Sequence, residues 1–224
     1  MIEKSDDRPP VALEQRGVGA DQRMFSPSAA RNAAPILAVL QRVLPSSGSV
    51  LEIGCGTGEH AVSFAAAMPQ LTWRPSDPDP DARASASSWI SFADLSNVSA
   101  PLDIDVCASA WCVEQDAPFD VMISLNMVHI APWSASLGLF AGAGRLLRAG
   151  ALLILYGPFT RDGAHNAPSN AAFDVSLKAR NQSWGLRDIA DLERLGEVSG
   201  LVLRETIEMP ANNRMLVFAK RDNA

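Results

Sequence analysis

Three observations predict an α/β fold built on a doubly wound, mostly parallel sheet. Short apolar runs alternate with amphipathic helical stretches along the chain. One junction between them, Val50-Leu51-Glu52-Ile53-Gly54-Cys55-Gly56-Thr57-Gly58-Glu59-His60, carries three glycines between a strand and a helix. The chain also closes on two β-like runs joined only through Pro210-Ala211-Asn212-Asn213. That connection is too short for a helical crossover, so the last strand is expected to be antiparallel.

Taken in order, residues 1–22 are polar, contain Pro9-Pro10, Gly17 and Gly19, and read as a flexible N-terminal arm. Ser26-Pro27 offers a capping hydroxyl and then a first-turn proline, opening a helix with Ile36, Leu37, Leu40, Val43 and Leu44 on one face. Pro35 is expected to kink or restart it. Residues 50–53 form the first strand and 61–68 the helix after the glycines. A second strand at 71–77 ends in Asp77, and a helix follows at 82–94. A third strand is expected at 101–106 and a fourth at 119–126, the latter apolar as a strand buried on both faces must be. A helix at 134–147 is expected to stop at Arg148 and Gly150. Residues 151–156 form the fifth strand. Residues 157–199, a polar loop and two helices, read as an insertion covering the crevice. Strands at 201–208 and 215–220 bring the sheet to seven, and residues 23–224 read as one domain.

The 224 residues are 47% hydrophobic, enough for one sizeable core. A net charge of −6 leaves no broad basic face for a phosphate backbone, so nucleic acid is not an expected partner. Cys55, Cys107 and Cys112 form no CxxC pair, which points to a reducing compartment without a disulfide framework or zinc site. The polar start Met1-Ile2-Glu3-Lys4 lacks the apolar core of a signal peptide, and the apolar run at 149–156 is far short of the ~20 residues of a membrane span. A cytoplasmic monomer or homodimer, with no membrane and no metal, is expected to act on a small molecule.

Glycines at the strand–helix junction accept left-handed backbone angles and let a ligand lie against the main chain. The helix behind them aims free N–H groups at an anionic group on the loop. A dinucleotide fingerprint would be G-x-G-x-x-G, but its third position is here Glu59, which repels a pyrophosphate. An NAD-dependent oxidoreductase is thereby disfavoured.

Glu52-Ile53-Gly54-Cys55-Gly56-Thr57-Gly58 instead resembles the first motif, E-x-G-x-G-x-G, of the class I S-adenosylmethionine-dependent methyltransferases. The resemblance implies a Rossmann-like fold, S-adenosylmethionine as cofactor and S-adenosylhomocysteine as product. It assigns ribose binding to Asp77, adenine binding to Asp105 with Val106, and the place beside the methyl group to Asn126. Asp103 competes with Asp105 if the register slips by two. Glu52, alone among apolar strand neighbours, needs a partner such as the cofactor's amino group. Cys55 fills the slot between two glycines. Further segments extend the likeness: Phe25-Ser26-Pro27-Ser28-Ala29-Ala30-Arg31-Asn32, Gly58-Glu59-His60-Ala61, Asn126-Met127-Val128-His129-Ile130, Tyr156-Gly157-Pro158-Phe159, Pro168-Ser169-Asn170-Ala171-Ala172-Phe173-Asp174, Trp184-Gly185-Leu186-Arg187-Asp188 and Met209-Pro210-Ala211-Asn212-Asn213. As a set they resemble the small family that includes methyltransferase-like protein twenty-six of animals, and they add Arg31, Asn32 and His60 to the cofactor residues.

Methyl transfer from a sulfonium asks the protein to hold a nucleophile in line and to manage one proton. His129 is either a general base, its ordinary pKa lying near neutrality, or a structural cap at a helix start. Tyr156, Arg161, His165, Asn170 and Asn213 are further residues expected to meet the substrate, Arg161 suiting an anionic end. Asn126 is not followed by Pro-Pro-aromatic, and no Pro-Cys nucleophile is present, which disfavours nucleic-acid bases as acceptors. The sequence therefore predicts methyl transfer to O or N of a small polar molecule, with a cofactor-binding protein that lacks transfer chemistry as the alternative.

Overall fold

The computed structural model describes residues 17–222. Most of the expected arm, residues 1–16, lies outside them. Within its last part Gly17–Val18 (β1) pairs antiparallel with Met24–Phe25 (β2). The Arg23 guanidinium lies 3.6 Å from the Phe92 ring centroid and 4.7 Å from that of Trp89, fastening this hairpin to the body by cation–π contact.

Pro27–Val43 (α1) starts as its sequence dictates: Ser26 caps it, its hydroxyl accepting from Ala29 N, with proline in the first turn. It runs as one helix through Pro35. Gly48–Ile53 (β3) leads through the glycines into Glu59–Ala67 (α2), then come Leu71–Ser76 (β4) and Pro80–Ala93 (α3). Phe119–Leu125 (β5), Trp133–Leu146 (α4) and Leu147–Gly157 (β6) follow. Phe159–Arg161 (β7), Ala164–His165 (β8), Pro168–Arg180 (α5), Arg187–Asp188 (β9) and Ile189–Val198 (α6) fill the expected insertion. Leu201–Met209 (β10) and Asn213–Lys220 (β11) end the chain.

The central sheet has the order β10-β11-β6-β5-β3-β4. Strands β4, β3, β5 and β6 are parallel, while β11 runs antiparallel to both β6 and β10, as the short last connection requires. One face packs Ile36, Leu40 and Phe64 of α1 and α2 against Val50, Ile123, Ile154 and Val217; the other packs Leu139, Phe140 and Leu192 of α4 and α6 against Met122, Leu153, Leu155 and Phe218. Both faces are therefore covered, as a parallel sheet demands.

Several expectations need correction. The sheet has six strands, not seven, because residues 101–106 make only an isolated bridge, Leu102 to Ser76. Pro101 and its neighbour Pro75 on β4 both lack an N–H, which interrupts the ladder there. The helix at α4 ends at Leu146, and Arg148 and Gly150 belong to β6. A bulge opposite Phe119 and Val121 absorbs the extra residues, with Gly150 at φ 74°. Finally, α6 is no cover: Ile189 and Leu192 are part of the core. Residues 157–168 are likewise not plain loop, since β7 pairs with β8 and β9 in a small separate sheet.

Candidate functional site

The glycine loop crosses the carboxyl end of β3. Gly54, Gly56 and Gly58 hold φ of 74°, 55° and 86°. A Cβ on Gly58 would lie 2.5 Å from the Ala86 Cα, and one on Gly54 3.0 Å from the Met127 Cγ. Side chains are thus excluded for reasons of both angle and space. The loop is fixed from below: Gly54 N and Cys55 N donate to the Ser76 carbonyl at 2.9 and 2.8 Å, and Ser76 Oγ donates to the Glu52 carbonyl at 2.7 Å. Gly56 N donates to Asp77 Oδ2 at 2.9 Å, and Asp79 N to Asp77 Oδ1 at 3.0 Å. The Asp77 carboxylate is half-buried beside the bare main chain, where the sequence places it.

Glu52 is 2% exposed, and its Oε2 accepts from the Trp73 indole N–H at 2.7 Å. Burial pushes its pKa from 4.5 up to about 7, against the Trp73 hydrogen bond and with help from the Asp77 charge. Glu59 turns toward α1, accepting from Ser26 N at 2.7 Å and Thr57 Oγ1 at 2.9 Å. His60 stacks on Phe64, and its Nε2 pairs with the Ala29 carbonyl at 3.1 Å. Burial lowers its pKa, so it serves as a neutral tie between α1 and α2. A cavity of about 280 Å³ opens there, lined by Ala29, Ala33, Glu59 and His60. Arg31 is exposed and Asn32 half-buried on the first turns of α1. Asp105 is exposed, with Oδ1 accepting from Cys107 N at 2.9 Å, and Val106 is buried. Its competitor Asp103 is engaged by Arg83 at 3.2 Å.

At the next strand ends a second group converges. Asn126 is left-handed at φ 57°, and its N–H donates to the Tyr156 carbonyl at 2.8 Å. A Cβ on Gly157 would lie 3.2 Å from His129 Cε1 and Nδ1 and 3.6 Å from Asn126 Oδ1, so amide and imidazole meet above this glycine. His129 is 4% exposed and packs edge-on against Phe173 of α5. Burial, with the Arg187 charge, lowers its pKa to about 4. It does not cap α4, whose N-cap is Pro132, and its Nδ1 has no hydrogen-bond partner among the described residues. Tyr156 is buried; its hydroxyl accepts from Asn213 Nδ2 at 3.1 Å, and burial raises its pKa to about 12. Asn170 does not face open space: its amide donates to the Asn212 carbonyl at 2.9 Å and Asn166 Oδ1 at 2.7 Å, tying α5 to the β10–β11 connection. Arg161 stands apart, exposed on β7, and His165 pairs with Asp174 at 3.1 Å.

Arg187 escapes sequence reasoning. Its Nε donates to the Val128 carbonyl at 2.9 Å and its Nη2 to the carbonyls of Ala131 and Ser183, while Gly185 N donates to the His129 carbonyl at 3.0 Å. Residues 183–187 thus clasp the turn that carries His129. The signal available in the sequence is the segment Trp184-Gly185-Leu186-Arg187-Asp188. Among the described residues no helix is long and apolar enough to cross a membrane, and no cluster could hold a metal ion.

The family model described as "Protein of unknown function (DUF938)" matches residues 23–220. Among solved structures the chain is similar to an O-methyltransferase family protein from Burkholderia thailandensis, with a TM-score of 0.74 and 16% identity over 88% of this chain and 58% of that one. It is similar to CalO1, a methyltransferase in calicheamicin biosynthesis, in its SAH-bound form, with a TM-score of 0.67 and 17% identity over 86% and 54%. It is also similar to the S-adenosylmethionine-dependent methyltransferase SibL, with a TM-score of 0.68 and 21% identity over 88% and 56%. The chain spans little more than half the length of these proteins. At such identities the likeness establishes the fold.

Proposed function

We propose that this chain, which belongs to the family described as Protein of unknown function (DUF938), is an S-adenosylmethionine-dependent methyltransferase acting on a small polar molecule. The observation that carries the reading is the bare loop Gly54–Gly58 with the Asp77 carboxylate held against it. The donor set fits the cofactor: main-chain N–H groups at the start of α2 suit its carboxylate, and Asp77 suits ribose hydroxyls. Gly54, Cys55, Gly56 and Gly58 would line its amino-acid end, with Arg31 and Asn32 nearby on α1, and Asp105 with Val106 would meet the adenine. Glu52 and His60 support that surface from behind. When bound, the cofactor supplies a methyl group already activated on a sulfonium.

His129 is the residue to receive the acceptor's proton. Its lowered pKa keeps the imidazole neutral near pH 7, and its buried Nδ1 has no hydrogen-bond partner among the described residues. Asn126 and Arg187 fix the turn on which it stands. Residues 157–180, with α5 over His129 through Phe173, act as the cover. Tyr156, Arg161, Asn170 and Asn213 stay with the acceptor end, Asn170 by holding α5 in place. The name of the similar O-methyltransferase family protein favours an oxygen acceptor, while the likeness to the family of methyltransferase-like protein twenty-six implies the fold and the cofactor. The near-complete burial of His129 favours one competing reading, a cofactor-binding protein without transfer. Incubation with methyl-labelled S-adenosylmethionine and a protein-free metabolite extract decides between them. Label in a small-molecule product with the wild type, and none with Asp77→Ala, supports transfer; unlabelled extract with the wild type overturns it.

A further inference from the structure

Arg214 is the second residue of β11 and is 9% exposed. Its Nε donates to Glu208 Oε1 at 2.7 Å, but its Nη1 is buried without a hydrogen-bond partner among the described residues. A buried guanidinium N–H left unpaired is costly, and native structures rarely tolerate one that serves no purpose. The second such group of interest is His129 Nδ1.

The sheet places the two together. Directly opposed residues on β6 and β11 are Leu153 with Phe218, Leu155 with Leu216, and Gly157 with Arg214. The first two pairs lie in one core cluster, so the third rises on the same face. That is the face on which the His129 ring sits 3.2 Å from the Cβ position of Gly157. Directly opposed Cβ positions are ~4.5–5.5 Å apart, so the stem of Arg214 starts about one side-chain width from His129. His129 and Asn126 thus meet over Gly157, with Arg214 directly opposite on the neighbouring strand.

We propose that Arg214 anchors a carboxylate of the methyl acceptor at this point, so that the substrate is a small monoanionic acid whose reacting atom faces His129. The proposal rests on the methyltransferase reading above and names the substrate class of the same site. A guanidinium edge matches a carboxylate in geometry and charge. Glu208, whose side chain is 67% exposed, already balances part of the Arg214 charge from the neighbouring strand, which favours a single negative charge over a phosphate dianion. Arg187 adds positive potential, but its Nε and Nη2 donors are spent on the carbonyls of Val128, Ala131 and Ser183. Phe173 covers His129, so α5 is the element that shifts as the acid enters.

The test follows the Nε–Hε resonance of Arg214 in nitrogen-labelled protein, assigned by its loss in Arg214→Lys, during titration with sodium acetate. Acetamide at matched ionic strength is the neutral probe, and both titrations run with and without S-adenosylhomocysteine. Acetate is expected to move the resonance saturably and acetamide to leave it in place. Arg214→Gln should weaken acetate binding at the neighbouring His129 resonances by about tenfold, while Arg204→Gln, which removes the same charge from exposed β10, should not. An unmoved resonance, an equal response to acetamide, or loss of binding in Arg204→Gln overturns the proposal. The acetate–acetamide comparison on wild-type protein stands even if Arg214→Gln fails to fold. S-adenosylhomocysteine titrated into the same sample separates the two readings. An acetate response without cofactor binding removes the methyltransferase and keeps the anion site; cofactor binding without the acetate response does the reverse.

Discussion

Trp73 donates its indole N–H to Glu52 Oε2 at 2.7 Å directly beneath the glycine loop, with both side chains buried. The strand that ends in the loop is thereby joined to the strand that precedes Asp77 through a titratable pair, so the glycine loop rests on a group sensitive to pH.

That pair predicts a pH-dependent stability. Burial raises the Glu52 pKa from 4.5 to about 7, so the folded chain holds this proton more tightly than the unfolded one. Stability from this group is present below about pH 4.5 and is lost as pH rises through about 7, by about 3 kcal/mol in all. Because His129 contributes an opposite change to both proteins, the readout is the difference between wild type and Glu52→Gln, which keeps an acceptor for Trp73 and cannot ionise. In thermal scans the wild type should weaken relative to Glu52→Gln as pH rises through the window; a constant difference would exclude Glu52 as a source of pH dependence.

Arg187→Lys should destabilise the chain by about 2–4 kcal/mol, because an ammonium cannot satisfy three carbonyls in the fork that a guanidinium spans. Chemical denaturation measures the loss, and proteolysis should find the 126–131 turn first. A variant as stable as the wild type would show that the clasp is dispensable.

His129→Gln should lower methyl transfer by about 100- to 10,000-fold while leaving S-adenosylhomocysteine affinity nearly unchanged. In the wild type, burial with the Arg187 charge holds the His129 pKa near 4, so the acid limb of kcat should fall well below pH 6.5. The same depressed value makes the fold lose stability as pH drops from 6.5 toward 4, since the unfolded chain takes up the proton first. Stopped turnover assays across pH report the limb. A limb near 6.5 would place the titrating group elsewhere.

Gly58→Ala should cost stability by about 1–3 kcal/mol, because a Cβ at φ 86° is strained and would press on the Ala86 backbone at 2.5 Å. Denaturation and cofactor titration should fall together, since relief requires the loop to move off α3. Lost stability with intact cofactor affinity would separate the loop's shape from its function.

Much of the fold was legible because it depends on local rules. The Ser26 cap with Pro27, the glycine junction, the doubly buried run at 119–125 and the short 210–212 connection each dictate their structure over a few residues. The edge of the sheet was not legible, because whether 101–106 pairs depends on Pro75, a residue on another strand. The placement of Asp77 and Asn126 just past strand ends follows from the apolar runs that precede them. Glu52 was recognised as needing a partner, but Trp73 lies too far along the chain to be identified from spacing. The clasp by Arg187 was not legible for the same reason: it is set by the carbonyls of Val128 and Ala131, which the fold brings to the guanidinium from far along the chain.

The central claim is tested most directly by isothermal titration of S-adenosylhomocysteine into wild-type protein and Asp77→Ala. Wild type should bind with a micromolar or lower Kd and a one-to-one ratio, and Asp77→Ala should weaken it by about tenfold or more, the loss expected for charge-assisted bonds to ribose hydroxyls. No heat of binding in a folded wild type, or equal affinity in the two proteins, would contradict a cofactor held by the bare 54–58 main chain and the carboxylate beside it.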